Sequence, residues 1–229
     1  MSATTTAVPS GGRLVNPNSV TLVLTISAIA VVINVVGGTL VSLLALPFLF
    51  LDTIGTFLVS VLFGIRWGIL VGVVSNLVLG ITSGPSAIPF AIVQVVIAVI
   101  VGFIANRWGY TIRTVPVAGA VVAVIAPLVG TAIAVGVFGG LTGGALDVLV
   151  LWAEQAGQSV FGAAFWPRLG SNAVDKILTA FIVLAIVQAI PASLVKPRYR
   201  VGAESGEAST DAVGDVAEAS VAETSSQNA

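Results

Sequence analysis

The chain has 229 residues, of which 57% are hydrophobic and 8% are charged, and its formal net charge at pH 7 is -1. Soluble domains carry roughly a quarter charged residues, so this composition excludes an ordinary soluble domain and indicates a membrane protein. The sequence contains no histidine and no cysteine, which removes the usual proton shuttle and disulfide chemistry, and we expect no metal or other cofactor.

The N-terminal region divides into a polar leader and an apolar run. Residues 1–18 are rich in Ser, Thr, Gly and Pro, and we expect them to be disordered and cytoplasmic. The run from Val20 to Val36 predicts a first transmembrane helix that ends at Gly37 and Gly38. A signal peptide is the alternative, although no convincing small-residue cleavage site follows the run.

The next segment predicts an irregular connection followed by two helices. Residues 39–51 are apolar but contain a proline, which favours a loop or a partly re-entrant segment. Asp52 and Thr53 form an N-cap signal for a second helix that ends near Gly64. Residues 67–81 predict the third transmembrane helix.

Small residues recur at a strict four-residue spacing along the third helix, at Gly64, Gly68, Gly72, Asn76 and Gly80. Positions four apart stack on one face of a helix. In a membrane, such a face is typical of a packing surface where a neighbouring backbone approaches closely.

Three further transmembrane helices are predicted in the second half of the chain. Residues 88–105 form the fourth and residues 117–137 the fifth. Residues 177–190 form the sixth, which opens with Asp175 and Lys176.

The connection at residues 139–173 is too polar to predict another crossing. Within it, Asp147, Glu154 and Gln158 fall on one face of a helix, and Trp152 suits a membrane interface. We therefore expect an amphipathic helix lying on the surface between helices 5 and 6.

Together these elements predict an all-α integral membrane protein, a six-transmembrane-helix bundle over residues 19–192 with one extra amphipathic surface helix. Residues 193–229 are basic and then acidic, and we expect a disordered cytoplasmic tail. Seven of the nine basic residues fall on the cytoplasmic side when both termini are inside. This bias predicts a multi-pass plasma-membrane protein with both termini cytoplasmic. The seven are Arg13, Arg66, Arg107, Arg113, Lys196, Arg198 and Arg200, against Arg168 and Lys176 outside.

Three segments of this sequence together carry a family resemblance. They are LPFLFLDTIGTFLVSVLFGIRWGILVGVVSNLVLGI, PFAIVQVVIAVIVGFIANRWG and DKILTAFIVLAIVQAIP. In order and spacing, the chain over residues 20–192 resembles the substrate-binding S component of energy-coupling factor transporters.

The resemblance implies a subunit that binds a vitamin or a related micronutrient outside the cell. Its implied partners are a transmembrane coupling subunit and two cytoplasmic ATPases. The chain contains no G-x-x-x-x-G-K-[ST] sequence, so the energy for transport would come from those partners.

The resemblance also implies a substrate site near the outer surface. The residues that it implicates are Asp52, Gln94, Trp152, Glu154, Asn172, Asp175 and Lys176. Polar side chains in or near hydrocarbon are costly unless they face the bundle interior or a cavity.

Each of these residues also has a plainer structural explanation. Asp52 is suited to capping the helix that it precedes, and Asp175 to capping its helix or pairing with Lys176. Gln94 is suited to an interhelical hydrogen bond, and Trp152 and Glu154 to an interface anchor and a solvated face.

Small residues are the candidates for helix packing or for docking of the coupling subunit. They are Thr21, Thr25, Ala28, Gly68, Gly72 and Asn76. The Ala-x-x-x-Ala sequence that the family carries on its first helix is absent here, and ordinary packing within the bundle explains small residues equally well.

Two other classes of function are open on the sequence. A sensory or scaffold membrane module without transport activity is the main alternative. An intramembrane enzyme is disfavoured, because the sequence has no histidine, no cysteine and no paired intramembrane carboxylates for acid, base or metal chemistry.

Overall fold

A computed structural model describes residues 20–190 of the chain. All regular structure in this range is helical. The seven α-helices are α1 (Val20–Leu43), α2 (Ile54–Phe63), α3 (Ile65–Thr82), α4 (Ala91–Trp108), α5 (Val115–Phe138), α6 (Asp147–Gln155) and α7 (Val160–Ala189), and a 3-10 turn at Pro85–Ala87 precedes α4. The predicted leader at residues 1–18 and the predicted tail at residues 193–229 lie outside the described residues.

Five of these helices are long and apolar enough to cross a membrane, judged by their length and composition. They are α1, α3, α4, α5 and α7, with 18 to 30 residues each. A helix rises about 1.5 Å per residue, so even 18 residues come close to the thickness of the hydrocarbon core. The described part of the chain is therefore compatible with a multi-pass membrane helical bundle.

The short helix α2 lies at the centre of the bundle. Every residue from Gly55 to Phe63 is buried, and α2 contacts α1, α3, α4 and α7. At Gly55 the backbone of α1 comes so close that an added Cβ would overlap the carbonyl oxygen of Ala30. Glycine is therefore required where α1 and α2 meet.

The four-spaced residues of α3 lie against the neighbouring elements of the same chain. An added Cβ would meet the Ser60 side chain at Gly68, the Gln94 side chain at Gly72 and the Ile88 side chain at Gly80. These positions contribute to packing inside the bundle, and they do not face outward.

Two predicted helix boundaries are wrong, and the first is the end of α1. The helix continues through Gly37 and Gly38 to Leu43. An added Cβ at Gly37 would lie 3.2 Å from the Cβ of Leu51, and one at Gly38 would lie 3.3 Å from the Cβ of Asp52. The two glycines therefore make room for the returning chain without ending the helix.

The second error concerns α7. The predicted polar connection at residues 139–173 and the predicted helix start at Asp175 are wrong, because α7 runs without interruption over Val160–Ala189. Its polar side chains are tolerated because six of them are buried inside the bundle: Arg168, Ser171, Asn172, Asp175, Lys176 and Thr179. Asp175 and Lys176 consequently lie in the middle of a helix and cap nothing.

Replacing Gly55 with alanine is expected to destabilise the protein by about 1–3 kcal/mol, because the new methyl group overlaps the backbone of α1. Thermal unfolding of the purified protein in detergent measures this loss. The matched control is Gly136→Ala on α5, where an added Cβ meets nothing within 4 Å. The control should be neutral or slightly stabilising, and an equal loss in both variants would contradict the packing argument.

Candidate functional site: a cavity at one end of the bundle

A cavity of about 630 Å³ opens at one end of the bundle. Its wall comes from the end of α1 and the segment after it, from α3, α4 and α5, from residues 142–146, and from α7. Leu79, Ile97 and Pro127 give it apolar surface, and Asp52, Asn76, Gln94, Arg168, Asn172 and Lys176 give it polar surface. A cavity of this size, lined mainly by apolar surface with a few polar groups, is typical of a small-molecule site.

The α7 helix holds the segment between α1 and α2 in place. Asp175 Oδ1 accepts hydrogen bonds from the backbone N–H groups of Phe50 and Leu51, both at 3.0 Å. One turn earlier, the Ser171 hydroxyl donates to the carbonyl oxygen of Pro47. Leu51 has a positive φ of 52°, a conformation that is uncommon for a side chain of this kind. The two bonds from Asp175 fix this part of the cavity wall.

Lys176 is the centre of a buried ion cluster beside this segment. Its Nζ lies 2.6 Å from Asp175 Oδ2 and donates to Thr53 Oγ1 at 3.0 Å. Asp52 Oδ1 is farther away, at 3.6 Å from the same nitrogen. Since Asp175 is fully buried, its charge depends on Lys176 for compensation.

Asp52 does not act as the cap of α2. The N-cap position is Thr53, and no side-chain capping bond forms there. The Asp52 side chain is 27% exposed and lines the cavity.

Arg168 joins the far wall of the cavity to the α5–α6 connection. The guanidinium donates to the carbonyl oxygen of Ala164 at 2.8 Å and to that of Gly140 at 3.4 Å. Asp147 holds the same connection, because its carboxylate accepts hydrogen bonds from the backbone N–H groups of Thr142 and Gly143. Residues 142–146 are thus fixed over the cavity by one acid and one base.

Gln94 connects the cavity to a buried polar network. Its Nε2 donates to the backbone oxygen of Asp52 at 3.0 Å, and its Oε1 accepts from Thr56 Oγ1 at 2.8 Å. Asn34 Nδ2 donates to Thr56 Oγ1 at 3.0 Å and to Ser75 Oγ at 3.1 Å, and its Oδ1 accepts from the Gly55 N–H. One chain of hydrogen bonds therefore links α1, α2, α3 and α4 to the cavity.

The structure brings together most of the predicted site residues. Asp52, Gln94, Asn172 and Lys176 line the cavity, and Asp175 lies directly behind Lys176. The other two predicted residues, Trp152 and Glu154, belong to α6 and do not line this cavity. Trp152 is 67% exposed on the outer surface of the protein.

The predicted coupling or packing residues divide into two groups. Thr21, Thr25 and Ala28 are exposed on the outer face of α1, and Gly68, Gly72 and Asn76 are buried within the bundle. The second group is thus covered by this chain itself.

Sequence reasoning missed Arg168 as a cavity residue and Asn34 as the centre of the polar network. Arg168 was assigned to an outer loop because the surrounding residues are polar. Residues 168, 172, 175, 176 and 179 are buried along one face of α7. That spacing is helical and was available in the sequence.

The cavity wall offers hydrogen-bond donors and acceptors and nearly balanced charges. Within residues 20–190, no group of three or more Asp or Glu side chains could hold a metal ion. The arrangement is suited to binding a small molecule.

A scan against protein-family models finds no match, and no curated protein and no solved structure is significantly similar to this chain. The family resemblance of the sequence therefore enters below as a proposal.

Replacing Lys176 with methionine is expected to destabilise the protein by about 3–5 kcal/mol, because Asp175 is left as a buried, unpaired charge. The double variant Asp175→Asn, Lys176→Met should recover most of this loss, since the asparagine oxygen can still accept the two backbone hydrogen bonds. Thermal unfolding of all four proteins gives the coupling energy. Additive losses in the double variant would contradict the proposed pairing.

Proposed function

We propose that this protein is the membrane-embedded substrate-binding subunit of an energy-coupling factor type importer. The observation that carries the proposal is a cavity of about 630 Å³ with a few polar groups in its apolar lining, at the end of a bundle of apolar helices. Ligand sites in proteins commonly measure about 300–1,000 Å³. The substrate is a vitamin or a related micronutrient, which is the class that the sequence resemblance implies.

The distribution of basic residues supports an orientation with the cavity outside the cell. Arg66 is in the first turn of α3, Arg107 in the last turn of α4, and Arg113 just before α5. The start of α3 and the end of α4 meet where Ile65 packs against Gly102. These three residues therefore gather at one end of the bundle, and the cavity opens at the other. Basic residues favour the cytoplasmic side.

Six membrane crossings and a surface helix complete the proposed topology. The helix α2 spans only about 15 Å at 1.5 Å per residue, so the segment at residues 44–53 contributes to the second crossing. Val148, Leu151 and Trp152 are exposed on α6, which supports contact of this helix with the membrane interface. Both termini are then cytoplasmic, in the plasma membrane.

The proposed partners are a transmembrane coupling subunit and two cytoplasmic ATPases. Affinity purification of the full-length tagged protein from its native membrane in mild detergent tests this assembly. We expect all three partner types in the purified material. Recovery of the chain without them would contradict the importer proposal and favour a sensory or scaffold module.

Filling the cavity is expected to abolish retention of the substrate. Gly130 lines the cavity on α5, and an added Cβ there would meet Phe90 only at 3.6 Å, an ordinary contact. Gly130→Leu should therefore fold but lower the amount of copurified small molecule at least tenfold, as measured by mass spectrometry.

The matched control is Gly136→Leu, the same change on the same helix, where an added Cβ meets nothing within 4 Å. The control should retain the small molecule at the level of the unmodified protein. Equal retention by Gly130→Leu would rule out this cavity as the binding site.

A further inference from the structure

The carboxylate of Asp52 lacks close hydrogen-bond partners at the cavity wall. Its Oδ1 has no hydrogen-bond partner within the described residues. The nearest cation, Lys176 Nζ, lies 3.6 Å away, which is beyond hydrogen-bonding range. Although Oδ1 itself is buried, the side chain as a whole is 27% exposed and lines the cavity, so the carboxylate can accept hydrogen bonds from a bound molecule there.

Lys176 neutralises Asp52 only through a long contact. An ammonium group has three protons. The Lys176 ammonium donates one to Asp175 Oδ2 at 2.6 Å and one to Thr53 Oγ1 at 3.0 Å, which leaves the third for Asp52 at 3.6 Å. Asp175 is fully buried and needs this charge more than Asp52 does. Lys176 is therefore committed mainly to Asp175.

Asn76 supplies a second unpaired acceptor on the same wall. The residue is 3% exposed and lines the cavity. Its Nδ2 donates to the carbonyl oxygen of Ala87 at 2.9 Å, which fixes the amide orientation, because a carbonyl oxygen only accepts hydrogen bonds. The remaining Oδ1 has no partner. A buried unpaired acceptor costs about 1–3 kcal/mol, and a donor from a ligand would recover this cost.

The charges around the cavity also favour a ligand that donates hydrogen bonds or carries a positive charge. Asp52, Arg168 and Lys176 line it, Asp175 pairs with Lys176, and Asp147 binds the lining residues Thr142 and Gly143. These three acids and two bases leave one net negative charge. An anionic ligand would be repelled by this excess, whereas a cationic or strongly donating ligand would be attracted.

We propose that the cavity selects a ligand with a nitrogen group rich in N–H donors, neutral or positively charged, which donates hydrogen bonds to Asp52 and Asn76. The inference rests on the proposed substrate-binding function and narrows its substrate class. Asp52 and Asn76 are the specificity-determining residues, and Asp175 and Lys176 position the wall around them.

Three probes of one size and shape separate the possibilities. Benzamidinium, benzamide and benzoate carry the same ring, with a cationic group of four N–H donors, a neutral group of two, and an anionic group of none. Their affinities for the purified full-length protein are measured at neutral pH by ligand-induced thermal stabilisation. We expect binding in the order benzamidinium, benzamide, benzoate, and we expect the copurified small molecule to contain N–H donors.

Two variants test whether Asp52 and Asn76 cause this order of binding. Asp52→Asn keeps the shape of the side chain and should weaken benzamidinium binding about tenfold, because a hydrogen bond to a charged acceptor becomes a neutral one. Asn76→Leu should weaken benzamidinium and benzamide alike. The control Glu154→Gln removes a carboxylate outside the cavity wall and should leave the order unchanged.

The outcomes distinguish this inference from the proposed function. Preferred binding of benzoate, or an order that survives in both Asp52→Asn and Asn76→Leu, would overturn the inference and leave ligand binding in the cavity intact. A copurified molecule without N–H donors would do the same. If no small molecule copurifies and none of the three probes binds, the substrate-binding function itself fails. Where Asp52→Asn does not fold, Asn76→Leu carries the test.

Discussion

The pairing of Asp175 with Lys176 in the middle of α7 is the interaction on which the cavity depends. A buried carboxylate is costly in an apolar environment unless it is neutralised and hydrogen-bonded. Asp175 meets both conditions, with Lys176 Nζ at 2.6 Å and two backbone N–H groups at 3.0 Å. Those N–H groups belong to the segment between α1 and α2. The same contacts that neutralise the charge therefore fix the wall of the cavity.

The hydrogen bonds centred on Asn34 have a comparable role among the other helices. Asn34 contacts Thr56 and Ser75, and Thr56 contacts Gln94, which in turn holds the backbone of Asp52. Apolar side chains gain little by leaving lipid for other apolar side chains, so close packing and interhelical hydrogen bonds specify how such helices associate. Where α1 meets α2, the close approach at Gly55 supplies the packing and the network centred on Asn34 supplies the interhelical hydrogen bonds. The cavity thus rests on a scaffold that is specified by polar contacts.

Two kinds of charge have different roles in this molecule. Arg66, Arg107 and Arg113 lie at helix ends, where they support an orientation in the membrane. The sequence pattern places Arg168 and Lys176 on the outer side, but both are buried in α7 and line the cavity. Both residues lie inside the bundle, apart from the charges at the helix ends, because the long and uninterrupted helix α7 carries them there.

The sequence by itself determined the helical, membrane-compatible character of the chain, since long apolar runs with few charges have few other stable arrangements. It also identified the polar residues that an apolar environment makes costly, among them Asp52, Gln94, Asn172, Asp175 and Lys176. Only the tertiary structure decided that α1 passes through Gly37 and Gly38 and that α7 begins at Val160, because both outcomes depend on what the glycines and polar side chains face. It alone also decided that Asp52 and Asn76 keep unpaired oxygens at the cavity, because the groups that surround these oxygens, such as Lys176 beside Asp52, come from other elements of the fold.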